Sequence, residues 1–373
     1  MKVICVVTLL TGIIPAVIAE PEGTKNFTIY WNVPTHLCER GSGSENISFR
    51  SLLDELKIVQ NPGGKFRGSE FTILYSPGLW PSMEHNKTVN GGMPHLGNLT
   101  AHLEKLNETI IKNNTVSANF TGIAVIDMES WRPIFRQNTG WMIVYRNLVF
   151  NNITENNETL SKALEEHKNN TKEFNKYRNY LFEKAAEIFE PKAVDFMNTS
   201  ISVLKELRPN AKWGYYGFPY CFNMGNASHA RVEDCPPIVQ RENNRTGWLF
   251  KAYDYWFPSV YIPKDHFNAT ERQQLVQGRV KEYNRLREKD NPKAKIFPYI
   301  WHLYNLNEES FLNQTDLQMT LETLKKGGMD GAIFWAKSAN VNSTHLCTEL
   351  RNYVNTTVRT VLEKLNIPVQ IQA

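Results

Sequence analysis

Gly122-Ile123-Ala124-Val125-Ile126-Asp127-Met128-Glu129 is an apolar run that ends on two acids one residue apart. A run apolar at every position, without the alternation of a half-exposed strand, suits a strand covered on both faces, as in a parallel sheet wrapped by helices. In extended backbone residues i and i+2 point the same way, so the Asp127 and Glu129 carboxyls project together. At the C-terminal end of a barrel strand that direction is the mouth. Two like charges held this close and partly out of water cannot both ionise easily, so at least one pKa should be raised. A carboxyl kept protonated near neutral pH is what protonation of a glycosidic oxygen requires.

Outward from this run, six further β-rich stretches recur: Phe27–Trp31, Phe71–Tyr75, Trp213–Tyr216, Trp256–Tyr261, Ile296–Trp301 and Gly331–Trp335. Between them lie stretches of helical period or composition, at Leu99–Ile111, Glu173–Leu207 with a break expected at Pro191, Thr270–Lys289, Asp316–Lys326 and Thr344–Leu365. Strand followed by helix, repeated, argues an α/β protein with a parallel sheet. No G-x-G-x-x-G follows the first strand, so a closed, distorted (β/α) TIM-like barrel with seven or eight parallel strands fits better than an open doubly wound sheet. The long interval from Asp127 to Trp213 reads as a loop plus long helices, and no linker marks a second domain, so residues 20–373 are expected to form one catalytic domain.

The 373 residues carry 42 basic and 38 acidic side chains, a net charge of +4 without a long basic run, which gives no footprint for nucleic acid. Lys2 followed by the apolar stretch Val3–Ile18 and the small residue Ala19 reads as a signal peptide over residues 1–19. With no second long apolar run, the mature chain is expected to be secreted, extracellular and without a membrane anchor. Outside the leader four cysteines remain, and two disulfides are the default in an oxidising compartment. Cys221 and Cys235 share one loop while Cys38 and Cys347 sit near the two ends, so Cys221–Cys235 with Cys38–Cys347 is the economical pairing. Seventeen Asn-x-Ser/Thr sequons are present, and Asn98, Asn107, Asn119, Asn226, Asn268 and Asn342 are taken as glycosylation candidates. The histidines His36, His85, His95 and His302 have no metal-ligand spacing, and Gly63-Gly64-Lys65 lacks the full phosphate-loop pattern and reads as a turn, so no metal or cofactor is expected. Aromatic residues collect at strand ends: Tyr75, Tyr215, Tyr216, Tyr261, Trp301, Tyr304 and Trp335. Tyr215 and Trp301 are assigned to core packing. The rest suit stacking on the apolar faces of sugar rings, which together with the acid pair points to a carbohydrate cleft.

The stretch from Gly122 to Asn138, with Tyr30-Trp31-Asn32-Val33-Pro34, Asn90-Gly91-Gly92-Met93-Pro94, the stretch from Trp213 to Asn223, and Pro258-Ser259-Val260-Tyr261, strongly resembles the animal hyaluronidase family, especially its venom and salivary members. The likeness runs from about Phe27 to about Leu365. It implies a distorted (β/α) barrel and a monomeric endo-β-N-acetylhexosaminidase that cleaves β-1,4 bonds after N-acetylglucosamine in hyaluronan, with weaker action on chondroitin. By that resemblance Glu129 is the acid/base of a retaining, substrate-assisted mechanism and Asp127 positions the acetamido group. Tyr216, Tyr261 and Trp335 match positions that shape the acetamido pocket, and Arg132 and Arg279 match arginines linked to function. The family's two disulfides coincide with the pairing inferred above.

Two departures stand out. Ser76 follows Tyr75 where the family usually carries Asp, and Ala336-Lys337-Ser338 follows Trp335 where many relatives read Gly-Ser-Ser. Lys337 is thereby a candidate partner for a glucuronate carboxylate. A chitinase-like D-x-x-D-x-D-x-E run would need Asp at Gly122 and Val125, and the chain fails there. The alternative of another class is a glycan-binding homologue with weak or no turnover. Retention of Asp127 and Glu129 argues against it, while Ser76 and Lys337 keep it open.

Overall fold

A computed structural model describes residues 26–39, 46–225, 231–305 and 307–367. The proposed signal peptide and Asn226 lie outside these residues. The strands that matter are β1 (Thr28–Asn32), β2 (Phe71–Tyr75), β3 (Ile123–Asp127), β4 (Lys212–Tyr215), β5 (Tyr255–Trp256), β6 (Lys295–Ile296), β7 (Tyr299–Trp301) and β8 (Gly331–Trp335). All pair in parallel: β2 with β3, β3 with β4, β5 with β6, β7 with β8 and β8 with β1. Single parallel bridges from Tyr216 to Phe257 and from Ser259 to Tyr299 join these groups. Counting β6 and β7 as one strand interrupted at Phe297-Pro298 gives seven staves.

The expected strand over Trp256–Tyr261 shortens to Tyr255–Trp256 because Pro258 has no N–H to offer. Its carbonyl still accepts from the Tyr299 amide at 2.7 Å. Between β1 and β2 no ladder forms. There the buried Asn61 side chain stands in, donating to the Phe71 carbonyl at 2.9 Å and accepting from the Phe71 and Glu70 amides at 3.0 and 3.1 Å. A buried amide with both ends satisfied can take the place of a missing strand contact.

Alternation along the strands sorts the core into two layers. Phe71, Ile73, Ile123, Val125, Tyr299 and Ile333 fill the barrel interior. Leu74, Ala124, Ile126, Trp213, Tyr215 and Phe334 face outward into the layer shared with the helices. That layer includes α1 (Leu99–Ile111), α2 (Ile143–Glu155), α3 (Glu158–Glu166), α4 (Thr171–Leu207), α5 (Ala269–Asp290) and α6 (Gln314–Lys326). Five of these helices start on an asparagine whose side chain accepts from a backbone amide of the first turn: Asn98, Asn157, Asn170, Asn268 and Asn313.

The expected break at Pro191 does not occur, since α4 runs through it. Its apolar stripe, including Ala185, Phe189, Ala193, Phe196 and Met197, continues on both sides of the proline, and this packing outweighs the local propensity. Pro191 itself is exposed, so the carbonyl that loses its helical partner can turn to water.

Cys38–Cys347 and Cys221–Cys235 are both bridged, with Cα separations of 5.7 and 4.9 Å. The first spans 309 residues and the second 14. On the loop-entropy argument the long closure constrains the unfolded chain by roughly 5 kcal/mol and the short one by about 3 kcal/mol. Replacing Cys38 and Cys347 by alanine is therefore expected to lower Tm by roughly 10 °C, more than the same change at Cys221 and Cys235. Calorimetry on both double variants checks the order, and an equal or reversed loss would count against it.

Candidate active site

Parity along the strands decides which side chains reach the mouth. Asp127 shares the inward face of β3 with Ile123 and Val125. By the same alternation Tyr75 ends β2, Tyr216 follows β4, Tyr299 and Trp301 lie on β7, and Trp335 ends β8. Asp127, Glu129, Tyr216, Tyr261, Trp301 and Trp335 line one cavity of about 340 Å³, together with Ile73, Tyr299, Asn305 and Lys337.

The acid pair sits at its floor. Asp127 is 9% exposed, whereas Glu129 reaches into the open cavity. The two carboxyl groups hydrogen-bond each other, which requires a proton between them. Burial, then the charge and hydrogen bond of Glu129, push the Asp127 pKa well above the carboxylate range. Burial also raises Glu129, opposed by the hydrogen bond from Asp127 and the nearby Arg132 guanidinium. The pair therefore holds one proton through neutral pH, and that proton belongs to both groups.

Aromatic rings wall the pair in. Tyr261 stacks on Trp335 at 6.2 Å with an interplanar angle of 28°, and Trp301 meets Trp335 edge-on at 5.8 Å. The Tyr216 and Tyr261 hydroxyls are hydrogen-bonded to each other, and the Tyr216 ring meets Tyr299 edge-on at 5.1 Å. The Tyr299 hydroxyl and the Trp301 indole N–H are buried without a protein hydrogen-bond partner. Polar atoms left in this state at a cavity wall are the ones a ligand hydroxyl or amide would satisfy.

The other sequence candidates divide between the rim of this cavity and positions away from its lining. Tyr75 stands at the rim, 48% exposed, its hydroxyl 3.4 Å from the Trp335 indole N–H that donates to it. Arg132 is absent from the lining. It donates to the Gln137 carbonyl at 2.6 Å and lies over the Tyr220 ring at 4.2 Å, so it bears on Glu129 by charge from the side. Arg279 donates to the Ser259 carbonyl at 2.5 Å, a brace for the segment after β5. Tyr215 is core, with its hydroxyl donating to the Met197 carbonyl. Trp301, assigned to core packing from sequence, lines the cavity instead, because it shares the inward face of β7 with Tyr299. Tyr304 does not reach the cavity and its hydroxyl donates to the buried Asp316. Tyr299 and Asn305 went unnoticed in the sequence. The alternation of Tyr299-Ile300-Trp301 was the available signal for Tyr299, and Asn305 had none.

Ser76 is exposed and outside the lining. Its amide donates to the Asp127 carbonyl at 2.8 Å, extending the β2–β3 pairing one step, with φ at 41°. Lys337 is part of the lining. Of the glycosylation candidates, Asn98, Asn107, Asn119, Asn268 and Asn342 are all exposed. The oxygen that caps a helix at Asn98 and Asn268 leaves the nitrogen of the amide, where a glycan attaches, uncommitted.

A (β/α) barrel that ends its third strand on a proton-sharing carboxyl pair, under a wall of tyrosine and tryptophan, has the build of a glycoside hydrolase. Residues 19–371 match the family model described as hyaluronidase, and the chain belongs to that family. It is 59% identical over 344 residues to a salivary hyaluronidase of Lutzomyia longipalpis, covering 92% of this chain and 88% of the relative. A hyaluronidase of Apis mellifera is 34% identical, with 93% of this chain and 86% of that one covered. The crystal structure of bee venom hyaluronidase superposes with a TM-score of 0.78 at 32% identity, covering 91% of this chain and all of the other. A further structure of that enzyme, in complex with a hyaluronic acid tetramer, gives 0.77 at 33% identity over 91% of this chain and 100% of its own.

Proposed function

We propose that this chain is a secreted endo-β-N-acetylhexosaminidase that cleaves the β-1,4 bond after N-acetylglucosamine in hyaluronan, and chondroitin more slowly. The shared proton of Asp127 and Glu129 carries the reading, because it supplies an acid at neutral pH beside a second carboxyl. The relative solved with a hyaluronic acid tetramer supports the choice of polymer. Secretion, with residues 1–19 removed, is supported by the two disulfides and by relatives named for saliva and venom.

In this mechanism an incoming acetamide N–H hydrogen-bonds to Asp127, which favours its ionised form and leaves the proton on Glu129. Glu129 gives that proton to the bridging oxygen as the C1–O bond breaks, while the acetamido carbonyl oxygen bonds to C1 and closes a five-membered ring. The ionised Asp127 stabilises the positive charge spread over that ring. Glu129, now a carboxylate, takes a proton from water, whose oxygen attacks C1 and reopens the ring. Two displacements at C1 retain its configuration. Trp335, Tyr261 and Tyr216 hold the sugar over the pair, and Arg132 restrains the charge of Glu129.

Incubation with hyaluronan, chondroitin and chitin in parallel tests this reading. New reducing N-acetylhexosamine ends are expected fastest from hyaluronan, more slowly from chondroitin and not from chitin. Three intact polymers would leave the glycan-binding alternative standing. The pH dependence follows from the pair. A free enzyme that needs one proton on two carboxyls should show a bell-shaped kcat/KM profile. Its acid limb marks protonation of both groups. Its alkaline limb marks loss of the shared proton and lies well above the ordinary carboxylate range, since both pKa values are raised. An alkaline limb near pH 4 to 5 would contradict a proton-sharing pair.

A further inference from the structure

Helix α4 is much longer than the strand it serves. At 1.5 Å per residue its 37 residues span about 55 Å, whereas five residues of β3 cover about 17 Å. Its C-terminal end leads into β4, which lies parallel to β3, so α4 runs antiparallel to the strands. Glu190 accepts from the Phe135 amide at 3.0 Å, just past the mouth end of β3. The turns of α4 before Glu190 therefore project beyond the mouth, with α2 and α3 packed beside them.

This projection carries two adjoining cavities of about 640 and 610 Å³ that share Arg146, Arg178 and Phe182. Both guanidinium groups face the Phe182 ring, at 4.6 and 5.8 Å from its centre. Neither arginine forms an ion pair among the described residues, and the Arg146 Nε is buried without a hydrogen-bond partner. Burial, then Arg178 and Arg136, lower the Arg146 pKa, the mark of cations held together. By contrast, three of the four lining carboxylates are engaged: Glu242 by Arg136, Glu190 by Arg245 and Glu165 by Lys168. The fourth, Glu183, is exposed. Two cations outside any ion pair, against the single unengaged lining carboxylate of Glu183, over an apolar floor that includes Phe150 and Phe174, make a site for an anionic group attached to a body with apolar faces.

We infer that the Arg146–Arg178 groove between α2 and α4 is an exosite that holds uronate carboxylates of the polymeric substrate beyond the catalytic cleft. The inference rests on the hyaluronan reading above. Arg178 stands 12 residues before Glu190 on α4, about 18 Å farther from the mouth, out of reach of a short oligosaccharide seated over the acid pair. A long chain leaving the cleft can reach it, and the groove then adds affinity for polymer alone.

The test compares wild type with Arg146→Ala/Arg178→Ala and with Arg178→Glu, an exposed change that keeps the fold if the double variant does not. Turnover of high-molecular-weight hyaluronan and of a hyaluronan hexasaccharide is measured at low and physiological salt, with direct titration of the polymer as a readout independent of turnover. We expect kcat/KM for polymer and polymer affinity to fall roughly three- to tenfold at low salt, with less loss at higher salt and no change for the hexasaccharide. Unchanged polymer binding, an equal loss on both substrates, or a loss seen only with a sulfated polysaccharide would overturn the exosite. A wild type that binds polymer without cutting it would sink the enzyme reading, while the titration would still decide the groove.

Discussion

Glu129→Gln should leave hyaluronan bound and uncut, with kcat down by roughly 10³-fold or more. The amide matches the carboxyl in shape and can still hydrogen-bond to Asp127, so the cavity, its aromatic wall and the polymer contacts persist. What vanishes is the transferable proton and, in the second half of the reaction, the base that activates water. In the proposed substrate-assisted cycle both halves use the same residue, and no other cavity group would take over: Asp127 is assigned there to the acetamide, and the Tyr216 hydroxyl has its pKa raised by burial far above the working range. The readout is twofold, reducing-end release for turnover and equilibrium titration for polymer affinity. Affinity within about threefold of wild type with turnover lost is the expected pattern for an interaction made in the transition state. Turnover within about tenfold of wild type would remove Glu129 from the acid/base role.

Much of this site could be read from alternation in the sequence. Ile123-Ala124-Val125-Ile126 shows its buried strand by composition, and the two-residue period then carries Asp127 inward to the mouth, where the structure has it. The same parity separates the neighbours Tyr215 and Tyr216, one outward against Met197 and one inward over the acids. Pro258 and Pro298 cut two staves into fragments, yet the period runs through both: Phe257 and Tyr261 share the inward side, as do Phe297, Tyr299 and Trp301, while Ile296, Ile300 and Tyr304 face the outer layer. The prolines break the hydrogen-bond ladder and leave the alternation intact, so the inward direction of Trp301 was legible. Pro191 did mislead, since a local breaker was overridden by an apolar stripe that only the folded barrel can cover. The state of Arg132 was likewise hidden. Its position beside Glu129 depends on Gln137 and Tyr220, a short turn and a distant loop that no spacing rule joins. The arginines of the α4 projection lie far apart in sequence, on different helices, so their shared ring at Phe182 appears only in three dimensions.

Asp127→Asn should cut turnover by roughly 10²-fold or more and at the same time make the protein more stable. The loss of rate has two sources. An amide cannot carry the negative charge that would steady the ring formed at C1, and with one carboxyl gone the like-charge repulsion that raises the upper titration of the pair is lost, so less of the enzyme holds a transferable proton at neutral pH. The gain in stability follows from linkage. Asp127 has a folded pKa raised above its unfolded value, so the native state binds its proton more tightly than the unfolded chain does. Below both pKa values the group is protonated in either state and contributes nothing. As pH rises past about 4, the unfolded chain ionises freely while the native pair resists, and the native state becomes progressively less stable until the folded pKa is passed. Asparagine has no proton to lose, so the variant escapes that penalty. The Tm difference between Asp127→Asn and wild type should be near zero at pH 4 and grow toward pH 8, by about 2–4 °C for each kcal/mol relieved. Calorimetry across that range separates this from a packing effect, which would shift Tm equally at every pH. A constant difference, or a variant less stable than wild type at pH 8, would mean that the two carboxyls do not share a proton, and with that the source of the acid at neutral pH would have to be sought elsewhere in the cavity.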